Sequence, residues 1–284
     1  MSAPRVSATM ALHPAVGPVN GGSAVLLAAD VGNTEIVLGV FEGEVLRQTW
    51  RLSTRAEQTS DELALQLAGL LEHRDLDLRR DLTGMCVASV VPDLTTAFRE
   101  MAAAYLAFVP LIVGPGIKTG VSVATDNPRE VGADRVMNAL AAFSRYGGPA
   151  VVVDFGTSTN FDVVSADGEF VGGVIGPGIQ VAAASLVSRT ARLPRVELVA
   201  PPSVIGKNTV ECIQSALIFG TADLVDGIVA RISDELGARP TTVATGGLAP
   251  IVIPHCRSIE HHEPWLTLEG LRLVHARNAD PADA

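Results

Sequence analysis

Residues 26–46 read LLAADVGNTEIVLGVFEGEVL, and residues 151–173 read VVVDFGTSTNFDVVSADGEFVGG. In each, an apolar run ends on an aspartate, Asp30 or Asp154. A turn of glycine and hydroxyl-bearing residues follows, then a second apolar run. Short wholly apolar runs bounded by turn residues read as buried strands. A second turn, Glu42-Gly43 in one stretch and Ala166-Asp167-Gly168 in the other, closes each hairpin. The shared plan is strand, D-x-G-x-[ST], strand, acidic-Gly turn, with spacing that differs by one residue. One supersecondary unit used twice predicts duplicated halves facing each other across a cleft, where small molecules usually bind.

A carboxylate at a strand end, followed by Gly and hydroxyls, suits a polyphosphate and its metal. Gly32 and Gly156 let the main chain approach phosphate, because no Cβ intervenes. Thr34, Thr157, Ser158 and Thr159 add hydroxyls, and Asn33 adds an amide. Asp30 and Asp154 are candidate ligands for Mg2+, for its waters or for another cation, since magnesium takes one or two protein carboxylates plus phosphate oxygens. The competing reading is a pair of ordinary hairpins capped by Asx-type turns; two copies, each after a buried strand, favour the ligand site. No GxxxxGK[ST] loop occurs, and the glycines of GGVIGPGI (172–179) lack dinucleotide-fold spacing. Phosphoryl transfer to an alcohol also needs a proton acceptor. Asp134, in GADR before an apolar-faced helix, is the best candidate; it is equally placed to be an N-cap. Arg135 beside it suits an anionic substrate group or a surface partnership with Glu130.

The rest of the chain alternates strands and helices. A third strand is expected over Leu46–Leu52. Thr59 and Glu62 have capping-box spacing before a helix with Leu63, Leu67, Leu70 and Leu71 on one face. Strands are expected at MCVASVVP (85–92) and PLIVGPG (110–116), and a helix over 94–107. Another helix carries Val136, Leu140 and Phe143. Gly147-Gly148-Pro149 marks a boundary between domains at 25–147 and 148–276. In the second, a helix starts near Gln180, and helical residues run to about Gly237 with Leu224, Ile228, Ile232 and Leu236 as a stripe. TTVATGG (241–247) reads as strand and turn, and LTLEGLRLV (266–274) as a closing helix. His261-His262 reads as a solvated turn, and His73 as a helix-end residue. Trp50 and Trp265 read as packing residues. Residues 1–24 read as a disordered extension and 277–284 as a flexible tail.

The bulk properties narrow the partners. The 284 residues are 48% hydrophobic and 18% charged, a globular composition with a net charge of −10. That charge argues against nucleic acid, which needs clustered Lys and Arg. No apolar run approaches the ~20 residues of a membrane span. Cys86, Cys212 and Cys256 are dispersed and odd in number, without a CxxC pair, so they read as core residues of a reduced, cytoplasmic protein.

The motifs DVGNT, NPREVGADR, VVDFGTST, GGVIGPGI and IGKNT, in this order, resemble type III pantothenate kinases, over roughly residues 25–275. The resemblance implies the acetate and sugar kinase, Hsp70 and actin superfamily. Its fold is α/β, with two ribonuclease-H-like (actin-like ATPase) domains and nucleotide held in the cleft between them. It implies ATP-dependent phosphorylation of the pantothenate hydroxyl, the first step toward coenzyme A, in a cytoplasmic homodimer. It also implies roles for residues. Asp30, Val31, Gly32, Asn33, Thr34, Glu35, Ile36 and Val37 match the ATP phosphate-binding segment, with Asp30 the candidate for magnesium. Thr157 matches a further nucleotide contact. Gly132, Ala133, Asp134, Arg135 and Thr209 match pantothenate contacts, with Asp134 as proton acceptor. Asp154 matches the carboxylate for an activating monovalent cation, potassium or ammonium. Thr245–Gly247 resembles an adenosine loop. The family's second motif usually reads DFGTATTFD. Here Ser158 and Asn160 replace Ala and Thr, and Thr125 stands where many members carry Tyr. Those departures raise the alternative of a non-catalytic relative that binds nucleotide or pantothenate and regulates a partner. A sugar or acetate kinase is the third reading, disfavoured by GADR and IGKNT.

Overall fold

The computed structural model describes residues 24–189 and 193–279. The expected extension over 1–24 lies outside them apart from Ala24; of the expected tail over 277–284, residues 277–279 are described, and Arg277 and Asn278 belong to the helix that closes the chain rather than to a free tail.

Two five-stranded sheets repeat one topology. In the first, β1 (Val25–Val31), β2 (Glu35–Glu42) and β3 (Val45–Ser53) form an antiparallel meander. β4 (Gly84–Ser89) and β5 (Leu111–Ile112) extend it in parallel from β1. The order is β3-β2-β1-β4-β5. In the second, β6 (Ala150–Phe155), β7 (Ser158–Val164) and β8 (Phe170–Pro177) form the meander. β9 (Thr241–Thr245) and β10 (His261–His262) add in parallel from β6. The second order is β10-β9-β6-β7-β8, the same arrangement with β6 in the place of β1. The central strands are buried because each is flanked on both edges and covered by helices.

The helices form where period and caps require them. α1 (Ser60–Glu72) starts at a complete capping box between Thr59 and Glu62, and Leu63, Leu67 and Leu71 enter the core. Such a cap is worth about 1 kcal/mol. α2 (Pro92–Tyr105) starts on Pro92, whose missing N–H costs nothing at a helix start. α3 (Ala133–Tyr146) follows the 3-10 turn Pro128–Glu130. α4 (Ile179–Arg189) follows β8; α5 (Thr209–Leu236) ends at Gly237 with φ 63°, a left-handed cap. α6 (Ala249–Val252) and α7 (Leu266–Asn278) complete the order.

The chain divides into two compact units. One takes in 24–121, 127–141 and 267–279; the other takes in Ser122–Asp126 and Ala142–Leu266. α3 is shared between them, and α7, last in sequence, belongs with the first sheet. α7 packs by close approach: a Cβ on Gly270 would lie 2.3 Å from the Met137 carbonyl oxygen of α3, and one on Gly39 would lie 2.7 Å from Leu268. Thr267 Oγ1 donates to Asn138 Oδ1 at 2.8 Å, and Arg277 donates to the Thr119 carbonyl at 2.8 Å.

Four local expectations are corrected. The stripe on α5 holds for Ile228, Ile232 and Leu236 but not for Leu224. Leu224 is 45% exposed, while Ile218, Ala222, Val225, Val229 and Ile232 face the core. A row spaced strictly by four drifts around a 3.6-residue helix, so its first member, Leu224, lies off the buried face that the later three reach. His261-His262 is no solvated turn but β10, half-buried against β9 as the counterpart of β5. His261 stacks on Tyr146 with ring centroids 4.2 Å apart. Cys212 is exposed near the start of α5, whereas Cys86 is buried and Cys256 half-buried. The strand expected across 110–116 is only Leu111–Ile112.

Candidate functional site

In the first unit, the Asp30 turn is built by backbone. The Gly32 N–H donates to the Glu35 carbonyl at 3.0 Å, and a Cβ on Gly32 would lie 3.1 Å from that oxygen. The segment after β3 holds the turn from outside: Thr54 Oγ1 donates to the Gly32 carbonyl at 2.7 Å, and Thr54 N–H to the Thr34 carbonyl at 3.0 Å. Asn33, Thr34 and Glu35 are exposed, and Asp30 is half-buried opposite Val37 in the β1–β2 ladder. Arg51 pairs with Glu35 at 2.8 Å. Val31 and Ile36 have side chains wholly in the core. Of the expected nucleotide segment, these two offer a ligand main-chain groups only.

The same unit carries Gly132–Arg135 at the start of α3. The Gly132 carbonyl accepts from Val136 N–H at 3.3 Å, so the helix begins there. Asp134 lies in the first turn, where the exposed amides favour a carboxylate. Its side chain folds back over Gly132, with Oδ1 2.4 Å from where a Cβ would stand. Glycine at 132 is therefore what allows this carboxylate position.

In the second unit, three motifs converge on the end of β6. The Gly156 N–H donates to the Ser158 carbonyl at 2.9 Å and the Gly178 N–H to the Thr157 carbonyl at 3.1 Å. A Cβ on Gly178 would stand 2.3 Å from that Thr157 oxygen. The last glycine of GGVIGPGI thus lets β8 and α4 close on the acidic turn. The glycine of TGG does the same from β9: Gly246 has φ 90°, and a Cβ there would lie 2.5 Å from Asp154 Oδ1. Asp154, Gly156, Thr157, Gly178 and Gly246 therefore form one cluster. In the sequence, Gly246 stands in an adenosine-like loop and Gly178 in the GGVIGPGI motif, without their close approach to the Asp154 turn. Thr209 opens α5, with Asn208 as N-cap accepting from Glu211 N–H at 3.0 Å. Glu211 in turn accepts from Lys207 N–H at 2.7 Å, so IGKNT is a helix-start motif that leaves Thr209 exposed.

Among the described residues, no group of three or more His, Cys, Asp and Glu is placed to hold a metal. Burial pushes the Cys86 and Cys256 thiols up to about 12, which removes both as thiolate nucleophiles. A separate surface cavity of about 810 Å³ is lined by Asp61, Leu65, Glu72, Asp77, Arg79 and Tyr105, among others, and holds none of the motif residues. α5 is long and apolar enough to cross a membrane by composition, yet its buried side is part of the core of its unit.

The model of type III pantothenate kinase matches residues 26–231. The chain belongs to the type III pantothenate kinase family. A member from Acidothermus cellulolyticus is 54% identical over 256 residues, covering 89% of this chain and 99% of its own. Members from Moorella thermoacetica and Streptomyces griseus are 50% and 51% identical, covering 89% and 91% of this chain and all of their own. Solved structures share the fold. A protein from Campylobacter jejuni assigned to the Baf family of transcriptional activators superposes with TM-score 0.56 at 18% identity, over 89% of this chain and 98% of its own. A ROK hexokinase from Thermus thermophilus gives TM-score 0.50 at 13% identity, over 90% of this chain and all of its own. The architecture of this kinase-family chain is thus the duplicated α/β fold of actin-like ATPases and ROK sugar kinases.

Proposed function

We infer that this protein phosphorylates the primary hydroxyl of pantothenate with ATP, giving 4'-phosphopantothenate, the first step of coenzyme A formation. The observation that carries this reading is the family match over residues 26–231, which takes in both acidic turns, Gly132–Arg135 and the cap at Thr209.

The chain's own residues divide the work. The turn from Asp30 to Val37 binds the phosphates through main-chain N–H groups and hydroxyls, and Thr157 is a further nucleotide contact. Asp30 is the carboxylate for Mg2+, and Asp154 that for potassium or ammonium. Bound ATP and magnesium supply the phosphoryl group and neutralise its charge. Gly132, Ala133, Arg135 and Thr209 orient pantothenate. Asp134 takes the proton of the attacking hydroxyl as the new O–P bond forms and the bond from phosphorus to the ADP oxygen breaks. Residues 25–147 and 148–276 are the two halves of the duplication, each carrying one sheet in chain order.

The partners of this reading are pantothenate, ATP and a second copy of the chain. Val204, Ile205 and Val210 are 68%, 73% and 40% exposed around the start of α5, an apolar surface suited to a homodimer. The net charge of −10 disfavours nucleic acid, α5 serves a core rather than a membrane, and the dispersed thiols suit the cytoplasm. The test is ADP release from ATP with pantothenate, in potassium or ammonium and without either. Pantothenate-dependent ADP is expected. Its absence under every condition favours the second reading, a non-catalytic nucleotide- or pantothenate-binding regulator, which rests on Asn160 beside Asp154 and on Thr125. Activity with sugars or acetate instead would transfer the chain to that branch.

A further inference from the structure

Asp154 has two direct neighbours in the second sheet. Across β6–β7 it faces Asn160, and across β6–β9 it faces Thr245. Beyond Asn160, on β8, stands Ile175. Directly paired residues project from the same face of a sheet, with Cβ atoms about 4.5–5.5 Å apart in an antiparallel pair. Asn160 and Asp154 therefore present an amide and a carboxylate side by side. Asn160 Oδ1 is buried and accepts no hydrogen bond from the protein. A buried amide oxygen without a donor is uncommon and asks for a ligand. The neighbouring carboxylate is meanwhile seated where Gly246 leaves room for it.

Two oxygens side by side, one anionic and one neutral, make half of a site for a weakly hydrated cation. A carboxamide oxygen carries a stronger dipole than a threonine hydroxyl and reaches one atom further. Its lone pairs serve an alkali ion as ligands, or ammonium as hydrogen-bond acceptors. We propose that Asn160 is a specificity-determining residue of the monovalent-cation site, its Oδ1 binding the ion beside the Asp154 carboxylate. Thr, the residue usual at this place in the family motif, offers a shorter oxygen, so this chain differs in cation affinity and in its order of preference among ions. The inference rests on the reading of Asp154 as the cation carboxylate.

The experiment reads binding by thermal melting rather than by turnover. The melting temperature of the full chain is followed against KCl, NH4Cl and NaCl, with choline chloride holding ionic strength constant. In wild type, potassium or ammonium raises the melting temperature with a saturable midpoint. Asn160→Ala shifts that midpoint upward on the order of tenfold, Asn160→Thr shifts it less and changes the order of ions, and Asp154→Asn removes the response. If Asn160→Ala does not fold, Asn160→Thr carries the test through its midpoint and ion order. Loss of the response in Asp154→Asn, with a wild-type midpoint and ion order in the Asn160 variants, overturns the role of Asn160 alone. A wild-type protein without any cation-specific response overturns the reading of Asp154, and this inference with it.

Discussion

Asp134 folds its carboxylate over Gly132, so closely that a Cβ at 132 would stand 2.4 Å from Oδ1. The carboxylate and the glycine are thus one device: the side chain needs the space that the missing methyl leaves. Asp134→Asn removes proton acceptance with little change of shape, and turnover falls about 10²–10⁴-fold. Gly132→Ala leaves the carboxylate in place chemically but displaces it. A fall in kcat with an unchanged melting temperature is the expected outcome. Steady-state kinetics beside a thermal melt checks both: wild-type kcat in Asp134→Asn rejects Asp134 as the base, and wild-type kcat in Gly132→Ala rejects the need for glycine at 132.

Gly178 holds the second acidic turn in shape. A methyl there meets the Thr157 carbonyl at 2.3 Å and the Gly156 carbonyl at 2.5 Å, both backbone atoms that cannot swing aside. Gly178→Ala pushes the turn out of register with the nucleotide. KM for ATP rises about tenfold, the loss of roughly one hydrogen bond to a charged group, while KM for pantothenate changes less. Initial rates at varied ATP decide it.

The apolar surface at Val204 and Ile205 predicts the oligomeric state. Wild type sediments as a dimer, and Val204→Asp with Ile205→Asp shifts it to monomer, because burying two carboxylates in an interface is prohibitive. Analytical ultracentrifugation is the measurement. A wild-type monomer at micromolar concentration overturns the dimer.

Acid lowers stability through two histidines. Burial holds the His262 and His275 imidazoles below the ordinary histidine range; Glu263 partly opposes this for His262. Above a pH of about 6.5 both states are neutral at these positions. Below it the unfolded chain takes up protons that the folded chain resists, so stability falls as pH falls toward the folded pKa. Urea midpoints at pH 7.5 and 5.5 show the loss. His275→Gln, which removes one of the two groups, makes the difference between those pH values smaller.

Much of this was legible along the chain, because it is local. The turn after Asp30, the box at Thr59 and Glu62, and the breaks at Gly168 and Gly237 depend on residues within a few positions of one another, whose turn and cap chemistry no distant partner needs to complete. The repeat of strand, acidic turn and strand likewise marked two copies of one unit, and both sheets carry it. What the chain alone left open depends on which distant strand lies alongside. A fifth strand at His261-His262 exists because β9 offers it an edge. The buried side of α5 is selected by the sheet it covers, which turned Leu224 outward and Val225 inward. Gly246 and Asn160 meet Asp154 only through the pairing of β6 with β7 and β9, and Gly178 meets Gly156 and Thr157 only through the return of the chain after β8. Local chemistry sets turns and caps at short sequence separation, whereas register and close backbone approach are set by packing between segments far apart in the chain. The acidic turns were therefore written in the sequence, and the company that Asp154 keeps was decided in three dimensions.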